Sequence, residues 1–455
     1  MNIKGKKFLV VGTGISGIAA TELLVRHHHE VVLYDGNDTL EKTEIRKRAP
    51  SLAQVEILLG AITKEELLAF DIAVLSPGVP TDSPMVTQMK ELGIIVWGEI
   101  ELGFAFEQGA VLAVTGTNGK TTTTALLGEI MKHYFNQVQV VGNIGIPYTQ
   151  VADQTTPQSV TVAEISSFQL ETIHEFCPQI SAILNITPDH LNRHHTMEAY
   201  IAAKEHICSN QSANQICVLN YEDEVLRKFA EKAIPKIVFF SSRRTLKEGI
   251  YLEKDNIIWS DGRNTTQICS CKELLLIGRH NYENVMAATA MALSFGVPIE
   301  KIKEVLVCFV AVAHRIEYVV TKRGVRFYND SKGTNPDAAI QAINAMEWPT
   351  CLIGGGYDKN SEYESWIESF HGKVKKLVLL GATREKIAAT AVSVGYPKEN
   401  ILFAESLEEA VELCYTNAVS GDAVLLSPAC ASWGMFKNYE QRGDMFKEIV
   451  NALSE

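Results

Sequence analysis

Residues 111–124 read VLAVTGTNGKTTTT, the pattern of a strand, a tight turn and a helix. This arrangement gathers backbone N–H groups at a helix N-terminus, where they favour a phosphate. The Lys120 ammonium would reach the terminal phosphates of a nucleotide, and the Thr121 hydroxyl would bind Mg²⁺. Val114 occupies the place of the first glycine of the common motif, and an ordinary turn is the alternative. We predict that the chain binds ATP or GTP here.

The composition is ordinary for a globular protein, since 46% of the 455 residues are apolar and 21% are charged. The formal net charge of −12 argues against nucleic acids and anionic membranes as partners. The nine cysteines contain no C-x-x-C pair, and no apolar run is long enough to span a bilayer. We therefore expect a cytoplasmic protein with reduced thiols and no membrane insertion, whose partners are small molecules.

Short apolar runs alternate with helical stretches along the chain, which is the rhythm of βαβ units and parallel sheets. Such runs include KKFLVVG at residues 6–12, VLAVTG at 111–116 and KLVLLG at 376–381. We predict an α/β protein with three domains. These are a Rossmann-like domain over residues 1–98, a P-loop ATPase-like domain with a mostly parallel sheet over 99–311, and a second Rossmann-like domain over 312–455.

A glycine motif, GTGISG, follows the first predicted strand at residues 12–17, and Asp35 ends the second strand. This spacing is typical of dinucleotide-binding folds, in which a helix N-terminus faces a phosphate and the carboxylate binds a ribose. Ser76 and Gly78 follow another predicted strand, at the edge where ligands gather in open α/β sheets. The motif alone leaves three interpretations open: a nicotinamide- or flavin-dependent oxidoreductase, a nucleotide-sugar site, or close strand–helix packing without a ligand.

Polar residues follow the predicted central strands at the same edge as the P-loop. Asn143 follows VQVV, Glu164 ends VTVAE and His190 follows SAILNIT, while Lys204 lies on the next predicted helix. Because the carboxyl ends of parallel strands meet at one edge, we expect Glu164, His190 and Thr121 to meet around metal ions. Each residue also has an ordinary interpretation, such as a surface carboxylate, a helix cap or a solvated helix lysine.

Longer segments give the sequence a specific resemblance that covers nearly the whole chain. In chain order they are TGTNGKTT, GNIG, ISSFQL, NITPDHLNRH, GRHNYENVMAA, AHR, NDSKGTNPDA, GGGYDKN and LLSPACASWGMFKNYEQRG. By these segments the sequence resembles the Mur ligases, ATP-dependent enzymes that form the amide bonds of the peptidoglycan stem peptide. ISSFQLE, NDSKGTN and SPACASWGMFKNYEQRG are most similar to the branch that adds D-glutamate to UDP-N-acetylmuramoyl-L-alanine.

The resemblance implies a mechanism in which the substrate carboxylate attacks the γ-phosphate of ATP. The amino group of D-glutamate then attacks the acyl phosphate. Two Mg²⁺ ions are implied, one bound by Thr121 and Glu164 and the other by His190 and a carbamylated Lys204. Glu164, His190 and Lys204 are implied to be catalytic together with Lys120. The P-loop residues implied to hold ATP are Gly116, Thr117, Asn118, Gly119, Lys120, Thr121 and Thr122.

The resemblance also assigns the remaining ligand contacts. Contacts with the adenosine and the phosphates of ATP are implied for Asn281, Asn284, Asp330 and Arg315. The UDP-sugar substrate would contact Ile15, Ser16, Asp35 and Asn143, the last of which would alternatively contact the transferred phosphate. Ser76 and Gly78 are added as substrate contacts because of their place after a predicted strand. D-glutamate, a dicarboxylate that needs cations and hydroxyl donors, would contact Lys332, Thr334, Lys359, Ser432 and Tyr439.

Four positions depart from the usual pattern of the family. Asn192, Gly333, Gly434 and Tyr439 stand where aspartate, alanine, an acidic residue and phenylalanine are usual. None of them removes an implied catalytic group, so they bear on amino-acid affinity more than on the reaction type. A sister ligase or a folylpolyglutamate synthetase would share the P-loop, and a nucleotide switch without acceptor chemistry is a further alternative. A monomer is expected.

Overall fold

The computed structural model describes residues 3–143, 145–310, 313–358 and 361–454. The chain divides into two compact units. The first comprises the chain up to Ser270 together with Glu283–Leu306, and the second comprises Cys271–Tyr282 together with the chain from Val307 onwards. Within the described ranges, no helix is both long enough and apolar enough to cross a membrane.

The first unit opens with a five-stranded parallel sheet. Its strands are β1 (Lys7–Val11), β2 (Glu30–Asp35), β3 (Glu56–Leu59), β4 (Ile72–Leu75) and β5 (Ile95–Gly98), and its helices are α1 (Ile15–Arg26), α2 (Lys42–Arg46), α3 (Lys64–Leu67) and α4 (Pro84–Glu91). The strand order is β3-β2-β1-β4-β5. Alternate residues of β1 enter two cores, because Phe8 packs on one face of the sheet and Leu9 on the other. The order reverses between β1 and β4, and such a switch point is where open α/β sheets bind ligands.

The same unit contains a nine-stranded sheet. The strands are β6 (Ala110–Thr115), β7 (Val138–Gly142), β8 (Val160–Glu164), β9 (Ile180–Ile183), β10 (Ile216–Asn220), β11 (Lys236–Ser241), β12 (Glu248–Glu253), β13 (Asn256–Asp261) and β14 (Thr265–Ser270). Their order is β14-β13-β12-β11-β10-β9-β6-β8-β7, and only the β12–β13 and β13–β14 pairs are antiparallel. β6 therefore lies between β8 and β9, which brings the ends of all three strands to one edge.

In the part of the chain that the structure describes, eight α-helices accompany this sheet in chain order. They are α5 (Glu99–Phe106), α6 (Lys120–Tyr134), α7 (Ser167–Leu170), α8 (Leu191–His194), α9 (Met197–Glu205), α10 (Glu224–Ala230), α11 (Arg279–Ser294) and α12 (Ile299–Leu306). The first residues of α11, up to Tyr282, belong to the second unit. The start of α9 has a clear local cause, since the Thr196 side chain accepts a hydrogen bond from the Ala199 N–H. This cap begins the helix that carries Lys204.

The second unit is built on a six-stranded sheet. Its strands are β15 (Glu317–Lys322), β16 (Val325–Asn329), β17 (Thr350–Gly354), β18 (Val374–Leu379), β19 (Ile401–Phe403) and β20 (Ala423–Leu426), and its helices are α13 (Pro336–Ala345), α14 (Glu364–Glu368), α15 (Arg384–Ser393), α16 (Leu407–Asn417) and α17 (Tyr439–Ala452). The order is β15-β16-β20-β17-β18-β19, with only β15 antiparallel. The central strand β20 brings the segment after Leu426 beside the end of β16.

The three sheets confirm the predicted α/β architecture with mostly parallel strands. The predicted domain boundaries stay a prediction, and the one between residues 311 and 312 falls outside the described residues.

Candidate active site

The turn between β6 and α6 has the geometry of a phosphate-binding loop. Gly119 is the N-cap of the 15-residue helix α6 and has a φ of 84°, so the N-terminus of a long helix opens at this turn. A Cβ on Gly119 would lie 2.2 Å from Asn284 Oδ1, which explains why glycine is needed here. Thr121 and Thr122 follow in the first turn of α6, and both are buried.

Asn284 lies against this loop. Its Oδ1 accepts a hydrogen bond from Thr123 Oγ1 at 3.3 Å and faces the Gly119 backbone. The structure therefore brings Asn284 to the P-loop, in the first unit. Asn281, the other predicted adenosine contact on α11, belongs to the second unit, where its Nδ2 donates to Ile277 O at 2.8 Å.

The segment after β9 holds the loop from its other side. The Thr117 N–H donates to Asn185 O at 2.9 Å, and the Asn118 N–H donates to Asn185 Oδ1 at 2.8 Å. The Thr117 hydroxyl also lies 3.0 Å from the Tyr200 hydroxyl. Neither Asn185 nor Tyr200 had a role predicted from the sequence. The available signal was that Asn185 is the first polar residue after an apolar strand, within NITPDHLNRH.

Two lysines converge on one carbonyl of the loop. Lys120 Nζ and Lys204 Nζ each donate to Gly116 O at 2.8 Å, and Lys120 also donates to Thr117 O at 2.8 Å. Lys204 is only 1% exposed. Burial, followed by the positive charge of Lys120, lowers the pKa of Lys204 to about 6. At neutral pH the Lys204 amine is therefore mostly uncharged and nucleophilic.

Glu164 presents an unsatisfied carboxylate oxygen at the same sheet edge. It ends β8 and pairs in register with Val114 of β6, two residues before Gly116. The side chain is 1% exposed, and its Oε1 accepts a hydrogen bond from Asn143 Nδ2 at 2.8 Å. Oε2 is buried and has no hydrogen-bond partner among the described residues. A buried carboxylate oxygen without a donor is unfavourable unless a cation or donor binds it.

The oxygen atoms of Glu164 and Thr121 fit Mg²⁺, which prefers oxygen ligands and keeps several positions for water or phosphate. Glu164 Oε2 and the Thr121 hydroxyl would be its protein ligands. In the part of the chain that the structure describes, no group of three or more His, Cys, Asp or Glu residues forms a metal cluster. Bound Mg²⁺ would therefore need substrate, phosphate or water oxygens to complete its coordination.

His190 lies on the loop after β9 and is half-exposed, with a φ of 51°. Its ring centroid is 4.9 Å from that of Phe168, and its Nε2 is 3.5 Å from Asp189 Oδ2. Nearby His194 is buried, with Nε2 2.9 Å from Ser167 Oγ, and burial lowers its pKa. The contacts of His190 are thus with its own loop and α7, and its metal ligation stays a prediction.

Glu164→Gln is expected to raise the Mg²⁺ concentration that half-saturates turnover by about tenfold or more, because the amide removes the negative charge at the buried oxygen. The metal-free variant should be at least as stable as the parent, since an unsatisfied buried charge is removed. Magnesium titrations of phosphate release and thermal unfolding without metal test both parts.

Glu101→Gln is the matched control for this substitution. Glu101 is also a buried carboxylate, but it accepts hydrogen bonds from the backbone N–H groups of His174, Glu175 and Phe176. Its replacement is expected to lower the free energy of unfolding by about 1–3 kcal/mol and to leave the magnesium requirement unchanged. Equal effects of the two substitutions on the magnesium requirement would contradict the role given to Glu164.

The GTGISG turn lies at the switch point between β1 and β4. A Cβ on Gly17 would lie 1.8 Å from Gly12 O, so close strand–helix packing requires this glycine. Asp35 Oδ2 accepts hydrogen bonds from Thr13 N at 3.0 Å and Thr13 Oγ1 at 2.8 Å. Burial acts to raise the pKa of Asp35, but the hydrogen bonds from Thr13 and Asn37 outweigh it and the pKa lies below its usual value. This carboxylate therefore holds the turn in place.

The other predicted substrate contacts of this sheet surround the turn. Ile15 and Ser16 begin α1, and Ile15 is 78% exposed. Ser76 follows β4, and its Oγ is buried without a hydrogen-bond partner in the described residues, while Gly78 is exposed. The exposed Ile15 side chain could pack against a ligand at the switch point, and the Ser76 hydroxyl at the end of β4 could form a hydrogen bond with it.

In the second unit, Asp330 and Arg315 occupy neighbouring positions. Asp330 is 4% exposed, and its Oδ2 and Oδ1 accept hydrogen bonds from Ser427 Oγ at 2.7 Å and Ile316 N at 3.3 Å. Burial raises the pKa of Asp330 to about 7. Arg315 Nε is buried with no partner among the described residues. Both carboxylate oxygens of Asp330 are engaged by the protein itself, so its contact with ATP stays a prediction.

The predicted D-glutamate contacts lie in the same unit. Lys332 Nζ is 5.5 Å from the centroid of the Tyr439 ring, and the Thr334 N–H donates to Lys332 O at 2.8 Å. Ser432 is buried. The burial of Tyr439 itself, followed by its hydrogen bond with Glu440, raises the pKa of Tyr439 to about 12. Lys359 and the side chain of Asn192 lie outside the described residues.

Arg442 is a buried cation for which the sequence predicted no role. It is 2% exposed, and it donates to Ser331 Oγ through Nε at 2.9 Å and to Ser331 O through Nη2 at 2.7 Å. Its Nη1 donates to Cys430 O at 3.2 Å, and burial lowers its pKa to about 10. Arg442 thereby ties NDSKGTN to SPACAS. In the sequence, Arg442 was visible only as part of the EQRG segment, because sequence spacing does not show whether an arginine on a helix points into the core.

Three family models match the chain. They are described as "Mur ligase MurD-like, N-terminal domain" over residues 6–98, "Mur ligase middle domain" over 114–292 and "Mur ligase, glutamate ligase domain" over 314–430. Among solved structures, MurC from Thermotoga maritima has a TM-score of 0.59 at 18% identity, covering 98% of this chain and 99% of that chain. MurF ligase from Thermotoga maritima in complex with ADP has a TM-score of 0.58 at 17% identity, covering 99% and 97%. These two structures share the fold.

Two curated relatives match over their full length. A UDP-N-acetylmuramoylalanine--D-glutamate ligase of Lachnoclostridium phytofermentans is 55% identical over 455 residues, and the alignment covers 100% of each chain. The protein of the same name in Lachnospira eligens is 54% identical over 453 residues, again with 100% of each chain covered. With its P-loop and its three sheets, the chain belongs to the Mur ligase family.

Proposed function

We propose that the chain joins D-glutamate to UDP-N-acetylmuramoyl-L-alanine in peptidoglycan precursor synthesis, with conversion of ATP to ADP and phosphate. The observation that carries the chemistry is the convergence of Lys120 and Lys204 on Gly116 O at the sheet edge where Glu164 keeps a buried, unpartnered oxygen. The names and the full-length identity of the relatives support the choice of D-glutamate.

In the first step, an oxygen of the alanyl carboxylate attacks the γ-phosphorus and the bond to the ADP oxygen breaks. An acyl phosphate results. The chain must offset repulsion between the carboxylate and the phosphates. Lys120 would leave the two loop carbonyls for the γ-phosphate, and residues Gly116 to Thr122 of the loop would hold the phosphates once the Thr117 and Asn118 N–H groups leave Asn185. Bound Mg²⁺ would neutralise phosphate charge, with Thr121 and Glu164 at one ion and His190 and Lys204 at the other.

Lys204 would serve as a ligand only after carbamylation. Its uncharged amine attacks CO₂, a nitrogen–carbon bond forms and a proton is lost, so that a cation becomes an oxygen-bearing anion. The lowered pKa and the burial of Lys204 support this modification, because a protonated amine has no lone pair for CO₂. Asn143, hydrogen-bonded to Glu164, would orient that carboxylate and contact the transferred phosphate or the substrate.

In the second step, the amino group of D-glutamate attacks the acyl carbon, phosphate leaves and the nitrogen loses a proton. The two D-glutamate carboxylates would be held by Lys332, Thr334, Lys359, Ser432 and Tyr439. ATP would be held further by Asn281, Asn284, Asp330 and Arg315. The uridine diphosphate would be held by Ile15, Ser16, Asp35, Ser76 and Gly78.

We assign the UDP-sugar, ATP and the amino acid to domains over residues 1–98, 99–311 and 312–455 respectively, with Arg315 and Asp330 of the last domain also contacting ATP. The enzyme would act as a cytoplasmic monomer. Size-exclusion chromatography with light scattering tests the oligomeric state.

The test is phosphate release from ATP with UDP-N-acetylmuramoyl-L-alanine and, in parallel, D-glutamate, L-glutamate, L-lysine, meso-diaminopimelate or glycine. Release with D-glutamate alone, matched by the ligated product in mass spectrometry, is expected. Release with another amino acid would keep the mechanism and assign the chain to a sister step. A folded chain that releases no phosphate with any of them would contradict the proposal, and tight NAD(P)H binding would then favour an oxidoreductase.

A further inference from the structure

Arg315 lies in a turn whose backbone is strained. His314 and Ile316 flank it with φ values of 65° and 48°, in the left-handed region. A β-branched residue such as isoleucine rarely adopts this conformation, and strained residues persist only where the surrounding structure holds them. Arg315 Nε is buried without a partner in the described part of the chain. The groups that hold this turn therefore decide where the guanidinium lies.

Two carboxylates hold the turn. Glu317 Oε2 accepts a hydrogen bond from His314 N at 2.8 Å, and Asp330 Oδ1 accepts one from Ile316 N at 3.3 Å. The second bond fixes the peptide that directly follows Arg315. The other oxygen of Asp330 accepts a hydrogen bond from Ser427 Oγ at 2.7 Å, and Ser427 is fully buried. Ser427 thus fixes the orientation of the carboxylate that holds the turn.

Gly333 makes room for this carboxylate. Its φ lies outside the left-handed region, so the backbone alone would tolerate alanine. A Cβ there would nevertheless lie 2.4 Å from Asp330 Oδ2 and 3.1 Å from Ser427 Oγ. A side chain at this position would displace the carboxylate, the hydroxyl or both. Gly333, where alanine is usual in the family, therefore leaves free the space next to the Asp330–Ser427 hydrogen bond.

We infer that Ser427 and Gly333 are positioning residues for Arg315, and that they act through the Asp330 carboxylate and the Ile316 backbone. The inference rests on the proposed function in one respect, that Arg315 binds the phosphates of ATP. Asp330 then affects nucleotide affinity through the peptide that it holds, in addition to any contact of its own. In this proposal Ser427 and Gly333 act through Asp330 and would need no contact of their own with the nucleotide.

Equilibrium binding of the non-hydrolysable analogue AMP-PNP with Mg²⁺ to the full chain tests this role. Ser427→Ala is expected to weaken binding about tenfold, because the carboxyl group that holds the Ile316 peptide loses its hydrogen bond from Ser427. Gly333→Ala, which reaches the same carboxylate by another route, is expected to give a similar loss. The control is Ser393→Ala, which removes an exposed hydroxyl that donates to Thr390 O at the end of α15 and should leave binding unchanged.

A double-mutant cycle with Arg315→Ala separates positioning from a merely structural role. When the guanidinium is absent, adding Ser427→Ala should change the affinity by less than about twofold. A tenfold loss in both backgrounds would overturn the inference, as would wild-type affinity of Arg315→Ala or of both Ser427→Ala and Gly333→Ala. A parent chain that binds AMP-PNP but releases no phosphate with any amino acid would contradict the proposed function and leave this inference intact.

Discussion

Lys204→Ala is expected to reduce turnover about a thousandfold or more while leaving the fold intact. The amine is buried against Gly116 O, and after carbamylation it would supply oxygen ligands at the centre of the phosphate site. Alanine removes both the hydrogen bond to Gly116 O and the oxygen ligands of a carbamate. Phosphate release at saturating ATP and both other substrates measures the loss, and circular dichroism verifies the fold.

The variant also allows a chemical rescue. Acetate or propionate should restore part of the activity of Lys204→Ala, because a small carboxylate can occupy the space of the missing carbamate. The same salts should not restore Lys120→Ala, which lacks a cation. Labelling the parent with ¹³CO₂ should give a carbamate resonance that Lys204→Ala lacks. A variant that keeps more than about a tenth of the parent turnover would remove Lys204 from the catalytic groups.

The pH dependence of the melting temperature gives an independent measure of the lowered pKa of the Lys204 amine when it is not carbamylated. The fold lowers the pKa of Lys204 from 10.5 to about 6, so between these values the unfolded chain binds a proton that the folded chain does not. In CO₂-free buffer the free energy of unfolding therefore decreases as the pH falls from about 10 to 6, because protonation of Lys204 favours the unfolded chain. Lys204→Ala should show a smaller fall in melting temperature than the parent over this range.

The sequence was most informative where local pattern and chemistry coincide. The apolar run of residues 111–114, the glycine turn and Lys120 predicted the strand, the loop and the helix N-terminus that the structure contains. Parallel strand order placed Glu164 beside this loop, because β8 adjoins β6. Such positions follow from periodicity and from the rule that parallel strands end at one edge.

Residues that act through hydrogen bonds over long sequence distances were not predictable in this way. Arg442 binds Ser331 across 111 positions, and Ser427 binds Asp330 across 97. No local pattern shows that an arginine near the start of α17 points inward, or that a serine after β20 meets a carboxylate after β16. Their roles became visible only once the β16–β20 pairing was known.

Lys120→Ala is expected to reduce turnover about a thousandfold or more, with a small effect on stability. Lys120 is only half-buried, and its Nζ donates to Gly116 O and Thr117 O of the loop before α6, so its removal leaves no large cavity. In the reaction it would be the ammonium nearest the γ-phosphate, and the charge it offsets grows as the acyl phosphate forms. Lys132→Ala is the matched control, because Lys132 lies exposed on the same helix and pairs with Glu129.

The loss in Lys120→Ala should also have a pH-dependent component. The charge of Lys120 is the second cause, after burial, of the lowered pKa of Lys204. Without that charge the pKa of Lys204 rises, more of the amine is protonated near pH 7, and carbamylation becomes slower. The ¹³CO₂ resonance should therefore form more slowly in Lys120→Ala than in the parent at pH 7, and the difference should shrink at pH 9. Near-normal turnover of Lys120→Ala would contradict the phosphate-binding role of the loop, whereas an unchanged carbamylation rate would contradict only the electrostatic link between the two lysines.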